Sequence, residues 1–150
     1  MPTTFQWVTP EAVTSALFTE LNALADSTSD TTGFSAVSAE ISNETGLFQY
    51  INLEFVLATQ GAARSAGGFV AVYIIYALNG TTYGSDTDKA YTEQLTAFQF
   101  DAATTARRIT KTNLPIPPLD FKLQVLNDTG QALAGGANAL NYRRHNEQGV

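Results

Sequence analysis

Ten residues in a row, Phe69-Val-Ala-Val-Tyr-Ile-Ile-Tyr-Ala-Leu78, carry no charged or amide side chain. β-Branched and aromatic residues dominate the run, which suits a pleated strand better than a helix. Side chains alternate across a strand, so a run apolar at both parities predicts a strand covered from two sides. The run falls well short of the ~20 apolar residues of a membrane-spanning helix. A second run, Leu47–Gln60, puts Leu47, Ile51, Leu53, Phe55 and Leu57 on one face of an extended chain. Together these runs make the fold mainly β.

The remaining pattern extends that framework. Val37, Ala39 and Ile41 alternate, and Asn43-Glu-Thr-Gly46 turns into the long run at Leu47. Asn79-Gly80 is a hairpin signal, with Thr81–Tyr83 as the return. Leu95–Phe100, Arg107–Thr112, Phe121–Leu126 and Ala139–Arg144 read as further strands. Leu114-Pro-Ile-Pro-Pro-Leu119 reads as a stiff connector or edge, because proline lacks the ladder donor. Strands at this spacing predict an antiparallel β-sandwich, jelly-roll-like in its connections. The segments Gly61–Gly68 and Gly135-Gly136 read as flexible connections.

The N-terminal stretch has a different period. Phe5, Trp7 and Val8 suggest an extended arm. Thr9-Pro10-Glu11 has the chemistry of a helix start, and Val13, Leu17, Leu21 and Leu24 form an apolar stripe at helical spacing. One short α-helix is therefore expected, ending near Asp26. Ser27–Gly33 is a polar linker, so the chain divides into an arm, helix and linker over 1–33 and a β-sandwich domain over 34–150.

Composition narrows the chemistry. The chain of 150 residues contains no cysteine, which excludes disulfides and thiolate catalysis and removes the usual zinc ligands. The first residues lack a basic stretch followed by an apolar core, so no secretory signal is expected, and synthesis in a cytoplasm follows. Without that signal, Asn43, Asn79 and Asn127, each in an Asn-x-Thr triplet, read as turn residues rather than glycan acceptors. Net charge is −6, split between −9 over residues 1–101 and +3 over residues 102–150. An acidic chain with few bases argues against nucleic acid, whose recognition needs a dense basic stripe.

Candidate sites are few. His145, the one histidine, stands beside Arg143 and Arg144 and reads as a solvated or partner-facing residue rather than a general base. Asp86 and Asp88 resemble half a calcium loop, but Glu93 is too near to serve as its closing ligand, and a solvated hairpin tip is the better reading. Glu44, Glu54 and Asp101 are scattered singly, which points to no glycosidase pair. No metal or cofactor is expected. Tyr73, Tyr76, Phe98 and Phe100 could line a sugar-binding face, although aromatics at strand spacing more often belong to a core. Trp7, with Phe5, either tucks under its own domain or anchors a neighbour's pocket. Arg107, Arg108, Lys111, Arg143 and Arg144 either converge into a cationic partner surface or stand as separate solvated charges.

The segment Leu114-Pro-Ile-Pro-Pro-Leu-Asp-Phe-Lys-Leu-Gln-Val-Leu-Asn-Asp-Thr-Gly130, continued by Ala139-Leu-Asn-Tyr-Arg-Arg-His-Asn-Glu-Gln148, resembles the C-terminal part of small structural proteins of tailed bacteriophages. The upstream turn Ile41-Ser-Asn-Glu-Thr-Gly46 is similar to them as well, nearest to the capsid decoration, or cement, proteins. The resemblance implies a non-enzymatic virion protein that binds the outer capsid surface and stabilises it. Major capsid protein or other virion proteins would be its partners, and homo-oligomers, often trimers, its working state. The alternative is a tail or head-fibre β-sandwich that recognises carbohydrate or a receptor.

Overall fold

The computed structural model describes residues 5–26, 36–84 and 93–149, with the side chains of 5–7 and 148–149 excepted. Ten strands follow in order: β1 (Phe5–Trp7), β2 (Thr14–Leu17), β3 (Ala36–Val37), β4 (Tyr50–Leu57), β5 (Phe69–Ala77), β6 (Glu93–Gln99), β7 (Arg107–Pro115), β8 (Asp120–Asp128), β9 (Ala139–His145) and β10 (Glu147–Gly149). Their pairing is nested. β1 pairs with β10, β2 with β9, β3 with β8, β4 with β7 and β5 with β6, all antiparallel. The chain is thus one long hairpin, wound up so that β9 also joins β4 and β8 also joins β5. The result is two four-stranded sheets, β2-β9-β4-β7 and β3-β8-β5-β6, the strand order of a jelly roll.

Strand parity builds the core between these sheets. Ile51, Leu53, Phe55 and Leu57 of β4 face Val70, Val72 and Ile74 of β5, with Phe98, Phe121, Leu123 and Leu140 completing the layer. Phe55 packs against Phe98 and Phe100 at centroid distances of 5.6 and 6.0 Å. Each fully buried Leu, Ile or Phe contributes about 1.5–3 kcal/mol of transfer free energy.

The expected α-helix is absent among the described residues. Thr14–Leu17 is the edge strand β2, and Thr19–Leu21 is a single 3-10 turn. Strand β9 offers Tyr142, Asn141 and Leu140 as ladder partners to Thr14, Ser15 and Leu17. Those bonds outweigh a short helix, which is marginal in water whatever its stripe. The helix-start residues are diverted too, since Glu11 donates its N–H to the Arg144 carbonyl. Three of the stripe residues, Leu17, Leu21 and Leu24, still reach the core, whereas Val13 stays exposed. Residues 14–24 are therefore built into the sandwich, while the linker and the 33/34 boundary lie outside the described residues, as do Asp86 and Asp88.

The loops are better anchored than their composition suggests. Arg64, in the Gly61–Gly68 connection, is buried and bonds the Asp101 and Thr105 carbonyls and the Asp101 carboxylate. Gly130 holds φ +83°, and a Cβ there would lie 1.9 Å from Ser65 Oγ, so glycine is required where this loop meets the β8 turn. The Gly61–Gly68 connection is thus pinned at Arg64, because a buried guanidinium must keep its partners. Asn43 closes its own turn by donating to the Phe48 and Pro117 carbonyls at 3.0 and 2.8 Å. Asp120 accepts the Asn43 and Glu44 N–H groups at 2.6 and 3.0 Å, and these backbone bonds, the Glu44 one first, hold its carboxyl below the usual range. Two of the stretches that carry the bacteriophage resemblance, 41–46 and 114–130, are thus bonded to each other.

Candidate functional site

The outer face of the β2-β9-β4-β7 sheet is polar by parity. Asn52 and Glu54 of β4 sit opposite Arg143 and Asn141 of β9, and Glu54 also sits opposite Thr110 of β7. Together with Thr112, Tyr142 and Val13 they line a groove of about 300 Å³. Arg108 donates to both carboxylate oxygens of the groove residue Glu54 at 3.2 Å, and Asn141 Nδ2 donates to Glu54 Oε1 at 3.1 Å. Asn52 Oδ1 accepts the Asn113 N–H at 2.8 Å, which leaves its amide NH₂ for other partners. Arg143 is exposed beside this network. No hydrogen bond or ion pair holds its guanidinium among the described residues.

The five cations do not form one patch. Neighbours in a strand point to opposite faces, so each arginine pair is split. Arg108 and Arg143 share the outer face of the sheet, Arg143 lining the groove and Arg108 reaching Glu54 beside it. Arg107 instead grips Asp101, which also takes Arg64 at 2.9 Å. Those two arginines, Arg107 first, pull the Asp101 carboxyl down to about 2. Arg144 turns to the other face and is nearly buried, chelating Glu11 through Nε and Nη2 at 2.7 and 2.9 Å. It also bonds the Ser42 carbonyl and lies 4.6 Å over the Phe48 ring. Lys111 reaches a different cleft. Phe5 and Trp7 lie in β1, and their expected partner contacts concern side chains outside the described part of the structure.

His145 is buried rather than solvated. Its ring stacks on Tyr50 at 5.5 Å, and Nε2 lies 3.1 Å from Asn113 Oδ1. Burial, followed by the Arg143 charge, lowers its pKa. Both effects favour the neutral ring.

The β3-β8-β5-β6 sheet has a different outer face. Phe69 and Tyr73 stand two positions on either side of Ala71 along β5, with Leu126 and Val37 packed beside them. Across the β5–β6 ladder, Gln99 lies opposite Phe69 and Ala97 opposite Ala71. The register slips between Val72 and Tyr73, so Gln94 rather than Leu95 meets Tyr73, and Leu95 packs on the core. Such a bulge re-aims side chains. The other expected aromatics divide by parity: Phe98 and Phe100 are core, and Tyr76 packs against it. Tyr83 donates its hydroxyl to Glu40 at 2.7 Å. Sequence reading missed Phe69 and the glutamines; the Phe69-x-x-x-Tyr73 spacing was the available signal.

No protein-family model matches the chain, and neither does any curated protein sequence. Solved structures that overlap it include the Yersinia pseudotuberculosis-derived mitogen, 8% identical, covering 92% of this chain and 86% of that one, with a TM-score of 0.31. Another is the infectious bursal disease virus Gt strain, at 16% identity and TM-score 0.35, covering 92% of this chain and 32% of that one. A CBM4 structure overlaps at 10% identity and TM-score 0.30, over 90% of this chain and 94% of that one. Overlaps this loose say nothing about function. No helix among the described residues is long and apolar enough to cross a membrane.

Proposed function

We propose that this chain is a non-enzymatic virion structural protein that docks on the outer capsid surface of a tailed bacteriophage and stabilises it. The observation that carries this reading is the groove on the β2-β9-β4-β7 sheet. Its polar side chains project from rigid strands, and exposed Arg143 stands beside the Arg108–Glu54–Asn141 network. A strand-borne polar face with an unengaged arginine suits docking onto an acidic protein surface, where arginine makes bidentate contacts with carboxylates. Two further points support it: the resemblance of residues 41–46, 114–130 and 139–148 to decoration proteins, and the bonding of 41–46 to the start of the second stretch. The jelly-roll order adds a fold-level analogy, since capsid domains are among its uses. Homo-oligomers on the particle would make weak contacts per copy additive through effective concentration. The protein is made in the host cytoplasm and works on the virion.

Co-sedimentation with purified expanded capsids, unexpanded shells and free capsid subunits tests the reading. Retention on expanded capsids, weakened by salt and by Arg143→Glu, is the expected result. An absence of binding to all three would refute it.

A further inference from the structure

We infer that the outer face of the β3-β8-β5-β6 sheet is a saccharide-binding trough that takes a linear, carboxylated oligosaccharide along β5 and β6. This site lies on the sheet opposite the docking groove and does not depend on the capsid reading. A cleft of about 320 Å³ there is lined by Phe69, Gln94, Ala97, Gln99 and Lys111. Phe69 is half-buried, and both glutamines are exposed. An aromatic ring offers a flat apolar surface to the C–H face of a sugar. Primary amides donate and accept at once, which matches hydroxyl groups that do the same. Lys111 supplies one ammonium, the complement of a uronate carboxylate.

The layout has the dimensions of a chain rather than a single ring. Phe69 and Tyr73 are four positions apart, roughly 13 Å along a strand. Between them Ala71 and Ala97 sit opposite each other, Ala71 fully buried and Ala97 lining the cleft. Each aromatic therefore has a glutamine across the ladder, at Gln99 and Gln94. The second of these pairings exists because of the register slip. Without it Leu95 would face Tyr73, and an amide would be replaced by an apolar side chain.

The test titrates the isotope-labelled full chain with a galacturonate hexamer and, in parallel, with cellohexaose, following side-chain amide resonances. The expected result is a shift of the Gln94 and Gln99 NH₂ signals by the uronate, with a dissociation constant below about 1 mM, the scale of a weak ligand. Phe69→Ala should weaken binding about tenfold, and Gln99→Ala, at an exposed position that does not threaten folding, about threefold. Lys111→Gln should remove the preference for the uronate over cellohexaose. No amide shift with either sugar at about 10 mM, a concentration that detects very weak ligands, would overturn the inference. So would binding that Phe69→Ala and Gln99→Ala leave unchanged.

Discussion

The two outer faces of the sandwich are built on the same strand period yet carry opposite chemistry. On the β2-β9-β4-β7 sheet the outward positions hold Asn52, Glu54, Thr110, Asn141 and Arg143, and charge dominates. On the β3-β8-β5-β6 sheet they hold Phe69, Ala71, Tyr73 and Leu126, and polarity comes from Asp128 and buried Gln124 on β8 and from the glutamines of β6. The first face attracts chiefly by charge and will be sensitive to salt; the second adsorbs chiefly by contact and hydrogen bonding, with Lys111 adding one charged contact at its cleft. The same core therefore supports one surface suited to a protein and one suited to a sugar.

Replacing Arg144 should have the largest effect and should separate surface from scaffold. Arg144→Ala leaves Glu11 without its chelating partner, so that backbone bonds and the β2–β9 ladder are left to tie this part of the N-terminal segment to β9. Loss of a buried pair costs about 3–5 kcal/mol, and the lower end applies here because Glu11 is a third exposed. Chemical denaturation would measure it. Arg143→Glu, one residue away, should change stability by less than about 0.5 kcal/mol, as at other surface sites. Its effect should appear in capsid retention instead. A similar loss of stability in both variants would break the distinction between the faces of β9.

Acid should weaken the protein in two windows. The His145 pKa is lowered from 6.5 in the fold, so the unfolded chain takes up its proton first. Stability from the neutral ring is complete above about 6.5 and declines as pH falls below it, toward the lower folded value. His145→Gln should flatten that part of the pH–stability curve. Asp101 behaves as a depressed acid: its contribution is present above 3.8 and lost as pH falls toward about 2. Its NMR titration midpoint should rise in Arg107→Gln, because Arg107 is the leading cause of the depression.

Glu54→Gln should give the smallest change. It removes an exposed ion pair to Arg108, worth less than about 1 kcal/mol. Because it also frees Arg108 on the same sheet face as Arg143, it should strengthen salt-sensitive capsid retention while leaving saccharide binding untouched. A change in sugar affinity would show that the two faces are coupled.

Much of this was legible from local rules. Period-2 alternation located β4, β8 and β9, and the continuous apolar run located β5, to within a few residues; Asn79-Gly80 marked a real turn, with Gly80 at φ +72° and Ala77 bridging Tyr83. The same rule, applied to Arg107-Arg108 and Arg143-Arg144 inside expected strands, already implied that each pair diverges. The helix over residues 9–26 was misread because apolar spacing of three and four also serves a strand followed by a 3-10 turn.

What the sequence determined by itself is a set of strands and turns, since backbone preference and side-chain alternation act over a few residues. The nested pairing, from β1 with β10 inward to β5 with β6, was decided only by the tertiary structure. So were the recruitment of Glu11 by Arg144 across the chain, the burial of His145 against Tyr50, and the register slip that sets Gln94 opposite Tyr73. Each joins residues distant in sequence or depends on how two strands align. Such alignment is fixed by packing across the whole core rather than by any local pattern.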